Sequence, residues 1–309
     1  MKHFINLKDI PAVDLRKIIE DAKKRKIKRK GYNTLELDKD SPLKGKLLVQ
    51  MFEKSSLRTR LSFYLAIKQL GGGTLTLRPN ELHLAKGGES IEDTAKILST
   101  YGNGFMLRSD SDKKLEEFSK HLIIPIINGL SPSSHPTQVL SDIFTVEEIK
   151  KKPISKLNIC WIGDSNNVLN SLIAASVKFS FNLNIGCPKN YEPKKFILDW
   201  VKKNKKKINI FNDVKEAVMN ADVVFSDKVI SLNDKVNKIN KIKDFKNFQI
   251  NSKLMKFAKK DATFLHCLPR GPEVSDEVFL GKNSKVWQQA LNRVHVQKSI
   301  LLYCFGKLR

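Results

Sequence analysis

The chain has 309 residues, of which 41% are hydrophobic and 28% are charged. This composition is typical of a globular protein and excludes a largely disordered chain. At roughly 150 residues per domain, the length predicts two domains. The 56 Lys and Arg residues outnumber the 32 Asp and Glu residues, which gives a formal net charge of +24. The lysines are spread along the whole chain, without an RNP-like aromatic box, a zinc-finger spacing or a clear basic recognition helix. Nucleic-acid binding is therefore not indicated as the main function.

The sequence predicts a cytoplasmic protein. No apolar run approaches the roughly 18 residues that a membrane-spanning helix needs, and segment 1–9 has no apolar h-region. The four cysteines lie far apart without a CxxC pair, a pattern that excludes a zinc ribbon and argues against a disulfide scaffold. They are Cys160, Cys187, Cys267 and Cys304. A reducing compartment is the simplest location for them.

Apolar runs alternate with helix-like stretches in the first half of the chain. Strands are predicted at 46–52, 74–77 and 122–127, with Phe105-Met106-Leu107 also strand-like, and helices at 59–70, 91–101 and 137–150. The second half predicts strands at 157–162, 182–186, 208–211, 222–226 and 262–266, and helices at 167–179, 193–204, 213–219 and 287–305. The polar segment 234–249 is expected to be mobile.

This alternation indicates an α/β fold with two similar-sized domains, each a parallel sheet flanked by helices. We place the break near 140–155, where a helix-like stretch gives way to Lys151-Lys152-Pro153. The last helix is expected to pack against the first half of the chain.

The turn after the first strand is the first candidate site, Glu53-Lys54-Ser55-Ser56-Leu57-Arg58-Thr59-Arg60. A hydroxyl-rich turn that enters a helix offers unpaired backbone N–H groups and the positive end of the helix dipole. The arginines and hydroxyls suit a phosphate. The Walker pattern is absent. An N-capped helix with surface arginines is the alternative interpretation.

A second candidate is His135-Pro136-Thr137-Gln138, at a predicted helix start. A neutral imidazole and an amide there could donate hydrogen bonds to a carbonyl oxygen that gains negative charge. A histidine before a proline is otherwise an ordinary turn residue.

Three further candidates follow strands of the second half. Asn167, after the first of them, could receive a carboxylate or simply cap the next helix. Asp227 with Ser231, and the segment His266-Cys267-Leu268-Pro269-Arg270, follow two apolar strands. A carboxylate and a thiolate at one sheet edge would hold an ammonium group, although Cys267 alone could be a buried structural residue. Asn292-Arg293 could be a helix surface.

Together these segments resemble the aspartate/ornithine transcarbamoylase family over nearly the full chain. In that family a Ser-x-Arg-Thr-Arg turn binds carbamoyl phosphate, and here it is Ser56-Leu57-Arg58-Thr59-Arg60. His135-Pro136-Thr137-Gln138 matches the carbonyl-polarising motif, and Arg108 matches a second phosphate-binding arginine. His266-Cys267-Leu268-Pro269 is similar to the ornithine-specific branch, because aspartate-specific relatives generally carry Pro in place of Cys267.

The resemblance implies transfer of the carbamoyl group from carbamoyl phosphate to the δ-amine of L-ornithine, giving L-citrulline and phosphate, a reaction of arginine biosynthesis. It implies a carbamoyl-phosphate-binding domain at 1–140, with the C-terminal helix 288–309 packed back on it, and an ornithine-binding domain at 141–287. It implies no metal or organic cofactor, and a homo-oligomer, a trimer or a larger assembly of trimers, with shared active sites.

The family's residue roles carry over to matching positions. The phosphate would be bound by Ser56, the backbone of Leu57, Arg58, Thr59 and Arg108. The carbonyl would be polarised by Arg108, Thr59 and His135, and the carbamoyl amide oriented by Gln138, the carbonyl of Leu268 and Arg293. Ornithine would be bound by Asn167, Asp227, Ser231 and Leu232, with Asp227 and Cys267 aligning the δ-amine.

Some positions depart from the family pattern. The mobile Ser-Met-Gly loop is Ser231-Leu232-Asn233, and the Gln-Leu-Gly-Arg-Gly-Glu loop is replaced by the residues 84–89. Val229 replaces a Trp of the family, and Leu291 replaces a Glu of the family. These changes leave another acceptor open, putrescine or a modified ornithine. A basic nucleic-acid-binding protein on an inactive enzyme fold is a more distant alternative.

Overall fold

A computed structural model describes residues 2–78, 88–230 and 238–308. In this part of the chain the strands form parallel sheets flanked by helices, so the predicted α/β class is confirmed. The chain divides into two compact units. Unit 1 comprises Met1–Phe144 and Leu291–Arg309, and unit 2 comprises Thr145–Ala290.

Unit 1 is built on one parallel sheet. Its strands are β1 (Leu47–Phe52), β2 (Gly73–Leu77), β3 (Gly104–Arg108) and β4 (Ile126–Leu130). Its helices are α1 (Ala12–Lys28), α2 (Arg58–Gln69), α3 (Ile91–Tyr101) and α4 (Asp112–His121), together with the first part of α5 (Pro136–Lys150). The strands lie in the order β2-β1-β3-β4.

Alternate apolar side chains of the central strands form part of the unit 1 core. Val49 of β1 and Phe105 of β3 are buried with Phe118 of α4. The rings of Phe105 and Phe118 lie 5.2 Å apart between centroids in a tilted arrangement. Burial of such aromatic side chains is worth about 1.5–3 kcal/mol each. This packing fixes the β1–β3 register, in which Phe52 pairs with Arg108.

Unit 2 repeats the plan with a second parallel sheet. Its strands are β5 (Asn158–Ile162), β6 (Asn182–Gly186), β7 (Asn209–Phe211), β8 (Val223–Ser226) and β9 (Thr263–His266). Its helices are α6 (Asn167–Phe179), α7 (Lys195–Lys203), α8 (Val214–Val218), α9 (Lys238–Asp244), α10 (Ser252–Met255) and α11 (Asp276–Phe279), and it contains the start of α12 (Val286–Cys304). The strand order is β7-β6-β5-β8-β9.

The predicted strand 122–127 is placed too early. Strand β4 begins at Ile126, and Leu122 is the C-cap of α4. Ile123 is exposed although it is apolar, and Pro125 has no N–H to donate to a strand ladder. Helix α4 was not predicted, because most of its residues are polar and only two of them, Leu115 and Phe118, are buried.

The prediction that 234–249 is mobile is wrong for its described part. Residues 238–244 form α9, and Phe245 and Phe248 are buried in the unit 2 core. Lys241 of this helix is buried and donates to Asp164 Oδ2 at 2.6 Å. Two aromatic residues and one buried ion pair therefore order a segment whose composition is dominated by Lys and Asn. Residues 234–237 lie outside the described part.

No helix within residues 2–78, 88–230 and 238–308 is long and apolar enough to cross a membrane. All four cysteines lie in this part of the chain, and none of them forms a disulfide. Burial raises the pKa of the Cys160, Cys187 and Cys304 thiols. These three side chains therefore stay protonated and act as packing residues.

Candidate active site

Each sheet has a point where the strand order reverses, and there the carboxyl ends of two neighbouring strands open a crevice suited to a ligand. In unit 1 this point lies between β1 and β3, and in unit 2 between β5 and β8. Arg108 ends β3, and Asp227 directly follows β8. Thus predicted site residues lie at the reversal point of each sheet.

The turn after β1 has the features of an anion-binding site. Helix α2 begins at Arg58, and its N-cap is Leu57, which offers no side-chain cap to the first turn. Uncapped N–H groups and the positive end of the helix dipole favour a bound anion. Arg108 Nη1 donates to Ser56 Oγ at 3.3 Å. Burial and the nearby charge of Arg58 lower the pKa of Arg108, so both cations gain from a bound dianion.

Glu53 connects this turn to the end of β3. Its N–H donates to the Arg108 carbonyl at 3.0 Å, which continues the strand pairing by one residue. Its carboxylate accepts from Ser109 Oγ and from the Asp110 N–H, both at 2.9 Å, and from the Lys114 ammonium group. These contacts hold the turn after β1 and the end of β3 in one geometry.

Arg293 joins two motifs that are far apart in the sequence. It lies on α12 with only 2% of its surface exposed. Its Nη2 donates to Thr59 Oγ1 at 2.7 Å, and its Nη1 donates to Gln138 Oε1. The alternative interpretation of Arg293 as part of a helix surface is therefore wrong. One guanidinium group orients side chains from α2 and α5.

His135 is a neutral hydrogen-bonding group in this cluster. His135 lies one residue before α5, and its side chain is buried. Burial, followed by the charges of Arg293, Arg108 and Arg58, holds the pKa of His135 well below its usual value of 6.5. A neutral imidazole beside three cations can donate an N–H to a developing oxyanion without adding a further positive charge.

Asp142 belongs to the same cluster, although it was not predicted from the sequence. It is buried on α5, four residues after Gln138, and its Oδ1 accepts from Gln138 Nε2 at 2.8 Å. Residues i and i+4 of a helix are neighbours on one face. That spacing is the signal that could have found it.

In unit 2, Asn166 performs the capping role that was considered for Asn167. The Asn166 side chain accepts from the N–H groups of Val168 and Leu169 at 2.9 and 3.1 Å and so caps α6. Its Nδ2 donates to Asp227 Oδ2 at 2.9 Å. Asn167 is the first residue of the helix, so its side chain does not serve as the cap.

Asp227 combines burial with hydrogen bonds to its carboxylate. Burial raises its pKa, and this effect is opposed by hydrogen bonds from the Lys228 backbone and Asn166. A carboxylate held partly out of water gains more from a bound ammonium group than an exposed one does. The position after β8 can therefore bind a cationic amine.

The segment after β9 is held by a second buried network. The Leu268 N–H donates to His266 Nδ1 at 2.9 Å, and His266 Nε2 lies 3.1 Å from Glu273 Oε1. Leu268 has a positive φ of 58°, a conformation that costs a non-glycine residue about 1–2 kcal/mol. Cys267 between them is buried. The network sets the direction of the Leu268 carbonyl.

Two predicted residues, Ser231 and Leu232, lie outside the described part of the chain, as does most of the departing loop 84–89. The described site residues form two groups. In unit 1, Arg293 is hydrogen-bonded to Thr59 and Gln138, and Arg108 is hydrogen-bonded to Ser56. In unit 2, Asp227 is hydrogen-bonded to Asn166, the neighbour of Asn167 in the sequence.

Comparison with protein-family models gives two matches that cover most of the chain. Residues 2–148 match the carbamoyl-P binding domain of aspartate/ornithine carbamoyltransferase. Residues 155–304 match the Asp/Orn binding domain of the same family. The first match contains Ser56 and His135, and the second contains Asp227 and Cys267.

Individual relatives agree with the family models. The chain is 42% identical over 307 residues to an ornithine carbamoyltransferase of Rhizobium meliloti, covering 99% of both proteins. Its fold is similar to an ornithine carbamoyltransferase structure from Pyrococcus furiosus, with a TM-score of 0.91, 37% identity and coverage of 99% and 97% of the two chains. An anabolic ornithine carbamoyltransferase from Campylobacter jejuni gives a TM-score of 0.90 at 37% identity, covering 99% and 100%. The chain therefore belongs to the aspartate/ornithine carbamoyltransferase family.

Proposed function

We propose that this protein transfers the carbamoyl group of carbamoyl phosphate to the δ-amine of L-ornithine, producing L-citrulline and phosphate. The observation that carries the proposal is the buried cluster in unit 1, where Arg293 bonds Thr59 and Gln138 beside a neutral His135. This set of hydrogen-bond donors and acceptors matches the groups of carbamoyl phosphate, which are an anionic phosphate, a carbonyl oxygen and an amide.

Carbamoyl phosphate binds at the open N-terminus of α2. Ser56, the Leu57 backbone, Arg58 and Thr59 hold the phosphate with Arg108. The uncapped helix start and the lowered pKa of Arg108 support this placement. A bidentate guanidinium contact favours a phosphate over a compact monovalent anion.

The carbonyl group is activated by fixed donors. Arg108, Thr59 and His135 donate to its oxygen, and donors of this kind are each worth about 2.7–4 kcal/mol in the transition state. Gln138, the Leu268 carbonyl and Arg293 orient the carbamoyl amide, with Arg293 acting through its hydrogen bond to Gln138 Oε1. Because His135 is already neutral at physiological pH, it polarises the carbonyl without first losing a proton.

Ornithine is bound by residues of unit 2. Asn167 with Ser231 and Leu232 binds the amino-acid end, and Asp227 and Cys267 align the δ-amine. The neutral amine nitrogen attacks the carbonyl carbon, and the tetrahedral intermediate collapses as the C–O bond to phosphate breaks. The nitrogen loses one proton, which leaves with phosphate or to solvent. Holding the two reactants in this geometry supplies much of the rate enhancement.

The amine must be deprotonated before it attacks, which makes the reaction pH-dependent. The free pKa of an alkylamine such as lysine is about 10.4, so only a small fraction is neutral at pH 7. We expect the rate at subsaturating ornithine to rise between pH 6 and pH 9. A flat rate over this interval would contradict the role given to the neutral amine.

The assembly and location are also proposals. The family resemblance supports a homotrimer or a larger assembly of trimers, and light scattering of the purified protein would measure it. The absence of disulfides among four cysteines within the described residues supports a reducing location such as the cytoplasm.

The test of the proposed reaction is product analysis. Purified protein with carbamoyl phosphate and L-ornithine should form citrulline and phosphate in a one-to-one ratio, and omission of ornithine should abolish citrulline. Phosphate release without citrulline would show hydrolysis only and would refute the proposal.

A further inference from the structure

Gln138 and Asp142 form a buried pair on α5. They are 2% and 1% exposed, and Gln138 Nε2 donates to Asp142 Oδ1 at 2.8 Å. Because the two residues are separated by one helical turn, they share a face of the helix. A carboxylate inside the protein is costly unless hydrogen-bond donors stabilise it, and the Gln138 amide supplies one of them.

The two neighbours of Gln138 determine which way its amide points. An amide can exchange its oxygen and nitrogen by a rotation of about 180°, and the two orientations present opposite hydrogen-bonding groups. A guanidinium group only donates, so Arg293 requires the oxygen Oε1 on its side. Asp142 Oδ1 accepts from the amide at 2.8 Å, which places the nitrogen Nε2 on the other side. The second lone pair of Oε1 is then able to accept one more hydrogen bond.

We propose that Asp142 is a positioning residue for substrate selection: by anchoring Gln138 Nε2, it fixes Gln138 Oε1 as an acceptor for the NH₂ group of carbamoyl phosphate. This inference rests on the proposed function. An acyl phosphate of the same shape with CH₃ in place of NH₂ has no hydrogen to donate. The anchored oxygen then loses its partner, so the Asp142–Gln138 pair selects the carbamoyl group over acyl isosteres.

The proposal is tested with two stable ligands that differ only at this group, phosphonoacetamide and phosphonoacetone. Their dissociation constants are measured by calorimetry on the full-length protein. The wild type should bind the amide at least about tenfold more tightly, since one hydrogen bond and an unpaired acceptor separate the two ligands. In Asp142→Leu, which removes the acceptor, the preference should fall to within about twofold, mainly through weaker amide binding.

Two matched variants separate positioning from a general effect on α5. Asp142→Asn retains an oxygen that can accept from Gln138, and it should keep most of the preference. Ser141→Ala removes a neighbouring hydrogen bond of the same helix, from Ser141 Oγ to the Thr137 carbonyl at 2.7 Å. It should lower the melting temperature and leave the ligand preference unchanged. Equal weakening of both ligands in Asp142→Leu, or loss of the preference in Ser141→Ala, would overturn the proposal.

If Asp142→Leu does not fold, an exchange of the two groups provides the test. Gln138→Glu alone places two carboxylates together and should reduce the amide preference. Combination with Asp142→Asn supplies a donor to Glu at position 138 and should restore it, whereas no restoration would refute the pairing. A wild type without any amide preference would also overturn the proposal, whereas failure of the proposed function would show as phosphate release without citrulline, so the two failures are distinguishable.

Discussion

Replacement of Arg293 by lysine tests the central cluster of unit 1. The guanidinium group is buried and donates to Thr59 Oγ1 at 2.7 Å through Nη2 and to Gln138 Oε1 through Nη1. Lysine preserves the charge but presents a single ammonium group on a flexible stem, which cannot reproduce a rigid two-pronged contact. At least one of the two bonds should be lost in Arg293→Lys.

The expected magnitude follows from the strength of such bonds. A hydrogen bond to a charged group is worth about 1.5–3 kcal/mol, so kcat/KM for carbamoyl phosphate should fall by about 10- to 150-fold. Initial rates of citrulline formation at saturating ornithine measure it. Arg16→Lys is the control, since Arg16 forms a partly exposed pair with Glu20 at 3.7 Å, and its effect should be below about twofold. A change below threefold in Arg293→Lys would refute the assigned role of the cluster.

Three further predictions concern pH, stability and acceptor choice. Because His135 has a lower pKa when folded than when unfolded, the unfolded chain binds more protons just below pH 6.5. The free energy of unfolding should therefore decrease as the pH falls through this region, and urea titrations should show a smaller decrease in His135→Gln. Asp38 accepts from Arg25, Arg29 and Lys298. The free energy of unfolding of Asp38→Asn should therefore be lower than that of the wild type by about 3–5 kcal/mol. Asp40→Asn is the control, because the Asp40 carboxylate is 56% exposed. Its free energy of unfolding in the same titration should be lower by at most about 1 kcal/mol. Asn167→Ala should raise the KM for ornithine at least about tenfold and change that for putrescine little, because putrescine lacks the α-carboxylate; an equal effect on both acceptors would contradict the role of Asn167.

The sequence predicts elements well where local signals agree. The prediction of α3 at 91–101 has the observed bounds, because Ser90 caps the helix through the Asp93 N–H and Gly102 follows its last residue. Strand β4 was misplaced because an apolar run preceding a proline resembles a strand. The segment 238–248 was misjudged because Phe245 and Phe248 become core residues only through tertiary packing.

The site residues also differ in how far they can be predicted from the sequence. Family motifs identify residues that stand together in the sequence, such as His135 and Gln138. The family resemblance assigns Gln138 and Arg293 to the same carbamoyl amide, but it does not reveal the direct hydrogen bond between them across 155 positions, because a motif does not specify which side chains pack against each other. The capping role of Asn166 depends on where α6 begins, and two consecutive asparagines leave that register undecided until the backbone is known.

The most direct test of the account is a competition between acceptors. Purified protein is given carbamoyl phosphate with equal, subsaturating concentrations of L-ornithine and putrescine, and the carbamoylated products are quantified by mass spectrometry. Citrulline is expected as the main product, since Asn167 and Asp227 are assigned to opposite ends of an amino acid. N-Carbamoylputrescine as the main product, or neither product from folded protein, would contradict it.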